Sequence, residues 1–157
     1  MTQNRIGKIL SNFHHVGVLV NNMDEAIDHY QSLGFGPFEP MGFDGKPSTP
    51  IDRTVYGEPA CGIENIAMKA PLGPALIELV QPVSGKSVQM EWLLNKGEGI
   101  NHICFMVDNI EEASDAMAEA GFKIITTCKF IGGGGMAYFD TDKVGGVQFE
   151  LLEAPPK

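Results

Sequence analysis

The chain has 157 residues and a mass of 17.0 kDa, enough for one compact unit with a sizeable core. Hydrophobic residues make up 43% and charged residues 20%, which excludes a disordered chain, and no apolar run approaches the ~18 to 20 residues of a membrane span. A net charge of −9, from 11 basic against 20 acidic residues, makes a poor phosphate-tracking surface, so neither nucleic acid nor an anionic membrane is expected as a partner.

In chain order, the N-terminus has two basic residues but no continuous apolar stretch, so it does not read as a secretory signal. Residues 13–20 are rich in β-branched side chains and predict a strand. Asn22 and Glu25 form a capping-box-like pair opening a helix, whose stripe is Met23, Ile27, Tyr30 and Leu33 and whose left-handed C-cap is Gly34. Strands are predicted at about 36–41, 62–70 and 74–82. Between the first two lies a Gly/Pro-rich excursion, 42–61, too long for an idle loop. A linker, 83–99, carries a short helix over Ser87–Lys96 around Trp92. Then come a strand at 101–108 and a helix capped by Asn109 and Glu112, with a stripe of Ile110, Ala113, Met117 and Ala120 and a C-cap at Gly121. Strands at about 122–130, 135–140 and 146–153 complete the chain, with a glycine run, Gly132–Gly135, inside them. Cys61, Cys104 and Cys128 are odd in number and lack a CxxC spacing, so they read as reduced thiols of a cytoplasmic protein.

The chain repeats itself. Residues 13–35 align without a gap on 100–122 at an offset of 87. His15 falls on His102, Asn22 on Asn109, Glu25 on Glu112, and Gly34-Phe35 on Gly121-Phe122. The last strands repeat as well, Ile77-Glu78-Leu79 against Phe149-Glu150-Leu151. The expected fold is therefore α+β, two βαβββ modules forming a curved mixed-sheet cup in a single domain. Module one covers about 12–82 and module two about 100–153.

Strand alternation sorts the side chains. His15 shares a face with Phe13, Gly17 and Leu19, opposite the β-branched Val16, Val18 and Val20 that suit packing under a helix. His102 lies by the same parity with Cys104 and Met106. Glu78 and Glu150 take the face away from Ile77, Leu79, Phe149 and Leu151. Each half thus contributes one His and one Glu to the concave face. Taken singly, a strand His is usually a satisfied core residue and a Glu a solvated one. Their repetition, and the cost of burying a lone carboxylate, favour a metal site. Two imidazoles and two carboxylates suit Zn, Ni, Co, Mn or Fe(II), with positions left for water or substrate. His14 is not expected to be a ligand: its parity points it to the helix side or the edge, and the repeat aligns it with Asn101.

The segments HHVGVLVNNMDEAIDHYQSLGF, ALIELVQP, GINHICFMVDNIEEASDAMAEAGF and GGVQFELLE resemble the vicinal oxygen chelate superfamily, the glyoxalase, bleomycin-resistance and dioxygenase group. Within it, WLLNKGEGINHICFMVDNIEEA and GGGGMAYFDTDKVGGVQFELLE look most like the methylmalonyl-CoA epimerase branch. The resemblance spans residues 12–153 and implies His15, Glu78, His102 and Glu150 as ligands of a divalent metal ion. It also implies a small-molecule substrate with two neighbouring oxygens, such as an acyl-CoA, and a homodimer, which open strand edges would favour. Departures exist. Glu78 stands where epimerases often have Gln, Asn65 stands where one epimerase type carries a second catalytic Glu, and Asp140-Thr141-Asp142-Lys143 replaces a typical His-Pro-Lys.

The implied reaction is epimerisation by proton transfer alpha to a carbonyl through a chelated enolate, with Glu150 as first base and Glu78 as its companion on the opposite face. Arg53 and Tyr56 are expected to close over the cup, Arg53 to pair a substrate carboxylate, and Gly132–Gly135 to offer N–H groups to an oxygen. Lys143 reads as a surface charge. Three alternatives compete: a glyoxalase I-type lactoylglutathione lyase, which Glu78 favours; an extradiol-type dioxygenase, whose open site a fourth ligand would crowd; and a metal-free binding module, which would not keep all four ligands.

Overall fold

The computed structural model describes residues 2–157. An N-terminal helix α1 (Thr2–Ile9) precedes β1 (Phe13–Leu19) and α2 (Met23–Ser32). Five strands follow before the long central hairpin: β2 (Glu39–Pro40), β3 (Gly42–Phe43), β4 (Lys46–Pro47), β5 (Pro50–Val55) and β6 (Glu58–Pro59). The hairpin is β7 (Glu64–Leu72) and β8 (Ala75–Ser84), succeeded by α3 (Val88–Lys96). The remainder is β9 (Gly99–Met106), α4 (Ile110–Glu119), β10 (Ile124–Phe130), β11 (Gly135–Phe139), a 3-10 turn at Thr141–Lys143 and β12 (Gln148–Glu153).

Ten strands form one curled mixed sheet in the order β2-β7-β8-β1-β9-β12-β11-β10-β5-β6. The two first strands, β1 and β9, pair antiparallel at its centre. Each is flanked by the last strand of its own half in parallel, β1 by β8 and β9 by β12. That placement puts the two His strands and the two Glu strands side by side.

Both repeat helices begin and end alike. The Asn22 side chain accepts from the Glu25 N–H at 3.1 Å, and Asn109 accepts from Glu112 at 3.0 Å. Gly34 (φ 92°) and Gly121 (φ 94°) follow the helices in the left-handed region, where a β-carbon would be strained. Their turns let Phe35 and Phe122 N–H return to the Tyr30 and Met117 carbonyls, both at 3.1 Å. Helix α2 packs its Met23, Ile27 and Tyr30 on Val18, Val20, Ile77 and Leu79. The expected stripe stops there: Leu33 is 61% exposed, because the chain turns away at Gly34. Helix α4 buries Ala113 and Met117 against Ala137, Phe139 and Leu151. Helix α1, which no sequence signal announced, packs Ile6 and Ile9 on that same cluster, and its Arg5 reaches Glu119 at 3.3 Å.

The excursion departs most from expectation. It is not a loop but β3 to β6, and β5 pairs antiparallel with β10, the outer strand of the second half. Thr54 and Thr127 hydroxyls bond across this junction at 2.7 Å. The chain therefore leaves β2 at one margin of the sheet and rejoins it at the other, spanning the mouth of the cup. The expected strand at 36–41 shrinks to Glu39–Pro40. Both margins, β2 and β6, are two residues long and carry a proline, so the sheet offers a partner strand little edge to pair with.

Candidate metal centre

His15, Glu78, His102 and Glu150 are all buried, and one donor atom from each lies within 4.8 Å of the others. The His15 and His102 Nε2 atoms are 3.2 Å apart. Glu78 Oε2 is 3.1 Å from each of them, and Glu150 Oε2 is 3.3 and 3.2 Å away. Two donors at about 2.1 Å from one ion and at right angles to each other stand about 3 Å apart, close to these separations. Glu150 Oε2 is buried without a hydrogen-bond partner despite its short distances to both imidazoles. It faces the centre of the group rather than a donor. The donor set and its convergence thus fit a divalent ion.

Burial opposes charge on all four groups, but their mutual proximity outweighs it. Facing Glu78 and Glu150, the His15 and His102 imidazoles have raised pKa values, while the two carboxylates, facing imidazoles, are held below the ordinary range. A second trio, His14, His15 and Cys104, is also within 4.8 Å, but burial pushes the Cys104 thiol up and it keeps its proton. It offers no thiolate to a metal.

The next layer was missed by strand parity. The β1–β9 ladder shifts register between Phe13 and His15 and again between Gly17 and Val18. The extra residues are His14 on β1 and Asn101 on β9, equivalent positions of the repeat. The bulges swing both side chains beside the histidines that follow them. His102 Nδ1 meets Asn101 Oδ1 at 2.9 Å, and His15 Nδ1 meets His14 Nδ1 at 2.8 Å. Burial, with His15 alongside, lowers the His14 pKa to about 4, so His14 is a neutral acceptor. In their neutral form both histidines then carry the proton on Nδ1, which turns the Nε2 lone pair inward.

Gly17 explains why the rings fit. It lies opposite His102 in the ladder, and a β-carbon there would sit only 1.8 Å from His102 Cε1.

Glu78 and Glu150 line a cavity of about 250 Å³ with Arg53, Asn65, Gln89 and Tyr138. Its apolar wall includes Met41 and Phe43 from the mouth-spanning segment and Phe130, Met136 and Leu152 from the second half. Asn65 Oδ1 and Gln89 Oε1 are buried there without partners. Arg53, on β5, is where sequence reasoning looked for it. Tyr56 is not: it is 57% exposed and donates to Glu91 at 3.0 Å, because the turn to β6 carries it outward. Gly132–Gly135 also fall outside the cavity wall. They make the β10–β11 turn, with Gly134 and Gly135 pressed against the backbone of Glu153 and Cys128, where a side chain would collide. Lys143 pairs with Asp140 on the surface at 2.9 Å. Tyr138 went unremarked in the sequence, although it is the direct cross-strand neighbour of Glu150.

No helix among the described residues is long and apolar enough to cross a membrane. Comparison with known proteins gives a consistent result. A curated relative, a mitochondrial methylmalonyl-CoA epimerase of Dictyostelium discoideum, is 29% identical over 96% of this chain and 83% of its own length. The crystal structure of methylmalonyl-CoA epimerase from Mycobacterium tuberculosis superposes with a TM-score of 0.65 at 22% identity, over 94% of this chain and 91% of that one. A Streptomyces coelicolor methylmalonyl-CoA epimerase variant in complex with 2-nitronate-propionyl-CoA gives 0.65 at 18% identity, over 94% and 99%. The family model of the Glyoxalase/Bleomycin resistance protein/Dioxygenase superfamily matches residues 14–139, and the chain belongs to that superfamily.

Proposed function

We propose that the chain is a metal-dependent epimerase that moves a proton alpha to a carbonyl, acting on a small acyl-CoA of the methylmalonyl type. The observation that carries this reading is the double role open to Glu78 and Glu150. Each sends one oxygen into the four-donor group, and both line the same cavity, one from each half of the chain. The relatives named above are epimerases, which supports the same reading.

His15, Glu78, His102 and Glu150 would hold the ion. Bound there, a divalent ion would supply Lewis acidity to a substrate carbonyl. Glu150 accepts the alpha proton as carboxylate, and Glu78, entering the step as the carboxylic acid, returns one from the opposite face. Asn65 cannot take a proton, so its amide orients the substrate. Arg53 pairs a substrate carboxylate, and the apolar wall keeps bulk water from the carbanion.

The test is a substrate panel on protein reloaded with Co, Ni, Zn, Mn or Fe(II). Methylmalonyl-CoA incubated in D2O is expected to gain deuterium at its alpha carbon, without oxygen uptake. His15→Ala combined with His102→Ala is expected to abolish both metal binding and exchange. Faster turnover of a glutathione hemithioacetal would favour the lactoylglutathione lyase instead. Oxygen consumption with a catechol, or full activity in stripped protein, would overturn the reading.

A further inference from the structure

Resting on the enolate chemistry above, we propose that Tyr138 donates a hydrogen bond to the substrate oxygen on which charge builds as the alpha proton leaves. Tyr138 is 3% exposed and projects from β11 onto the concave face directly opposite Glu150. Tyr138 lines the cavity, and its hydroxyl lies 3.3 Å from His102 Nε2, the nitrogen that faces the four-donor group. A substrate oxygen entering beside that group is therefore within hydrogen-bond reach of the hydroxyl.

The hydroxyl proton is free for this use. Tyr138 Oη stands 3.3 Å from Nε2 and 3.4 Å from Nδ1 of His102. A point nearly equidistant from both nitrogens lies roughly at right angles, or further, from either in-plane lone pair. The ring therefore does not accept from it. The His102 Nδ1 proton is already directed to Asn101. Gln89, itself buried, lines the same cavity. With neither ring nitrogen accepting it, the O–H is left to point into the cavity. A donor held in place, in a site shielded from water, strengthens as charge develops on its acceptor.

Tyr138→Phe removes the donor and keeps the ring. Oxalate, a dianion with two neighbouring oxygens, is the binding probe, titrated calorimetrically into cobalt-loaded protein. Expected are unchanged cobalt affinity, oxalate binding about tenfold weaker, and turnover of methylmalonyl-CoA down by about 10²-fold. If the Phe variant fails to fold, oxalate added to cobalt-loaded wild type is expected to give a near-ultraviolet tyrosine difference band from the buried Tyr138, and its absence overturns the role. Equal oxalate affinity in variant and wild type overturns the role of Tyr138 alone. So does a loss of oxalate binding that tracks a loss of cobalt, because Tyr138 would then only position His102. A cobalt-loaded wild type that does not bind oxalate overturns the chelation reading and the Tyr138 role together.

Discussion

His14 and Asn101 are the two extra residues of the β1–β9 ladder, and each meets the Nδ1 of the histidine that follows it. A bulge is what lets consecutive residues of a strand share one face, so the inward-facing histidine and its supporting acceptor come from a single dipeptide in each half. His14→Ala and Asn101→Ala are each expected to weaken metal binding by about 10- to 100-fold without removing a ligand. Competition against a calibrated chelator measures this. Wild-type affinity in both variants would show that the ligand tautomers are set by something else.

Gly17→Ala tests the space beneath His102. The new methyl overlaps the ring, and neither partner can retreat, since the ring is buried between Gly17 and Tyr138. The expected outcome is loss of most metal and destabilisation of about 1–3 kcal/mol in thermal or urea unfolding. A variant with full metal content and wild-type stability would contradict the packing described.

Stripped of metal, the site is held together by protonated imidazoles facing carboxylates. The His15 and His102 pKa values are raised above their ordinary 6.5, so their contribution is fully present below that pH and is lost as pH rises through the raised values. The Glu78 and Glu150 values are lowered from 4.5, so theirs is present above that pH and is lost as pH falls through the lowered values. Apo protein is therefore expected to be most stable in mildly acidic buffer and to lose stability towards alkaline pH. Metal-loaded protein, whose imidazoles must be neutral, is expected to show the opposite trend between those conditions. Scanning calorimetry of both forms across pH checks the sign.

Glu78→Gln and Glu150→Gln separate ligation from proton transfer. An amide still ligates through its carbonyl but cannot accept a proton. Both variants are expected to keep metal within about tenfold. Glu150→Gln is expected to lower alpha-proton exchange by at least about 10²-fold, and Glu78→Gln to suppress exchange from one enantiomer while the other survives. Equal, mild effects on both enantiomers would reduce Glu78 to a ligand.

Much of this was legible because it is periodic and repeated. The Asn caps, the glycines that close the helices, and the concave placement of His15, Glu78, His102 and Glu150 follow from alternation and an offset of 87 residues. Parity failed at His14, where a bulge breaks the alternation on which parity rests. The strands of 42–61 were hidden because their partners are far away in sequence: Thr54 pairs with Thr127 across 73 residues. Short segments rich in Gly and Pro carry no local period of their own, and tertiary pairing made them strands. Helix α1 was hidden for a similar reason, since its apolar face has meaning only against α4.

The four donors obey the two-fold symmetry of the repeat, but their surroundings do not. The cross-strand neighbour of Glu150 is Tyr138, whereas that of Glu78 is Lys69, whose ammonium is spent on the Gly42 carbonyl at 2.7 Å. Arg53, Met41 and Phe43 come only from the segment that crosses the mouth, which has no counterpart in the second half. A perfectly symmetric pair of carboxylates would accept one molecule equally well in two orientations related by a half-turn. Here a molecule rotated by that half-turn meets a cation and a phenol in exchanged places, so only one orientation fits. The choice of a single binding orientation is thus written largely in the part of the sequence that was not duplicated.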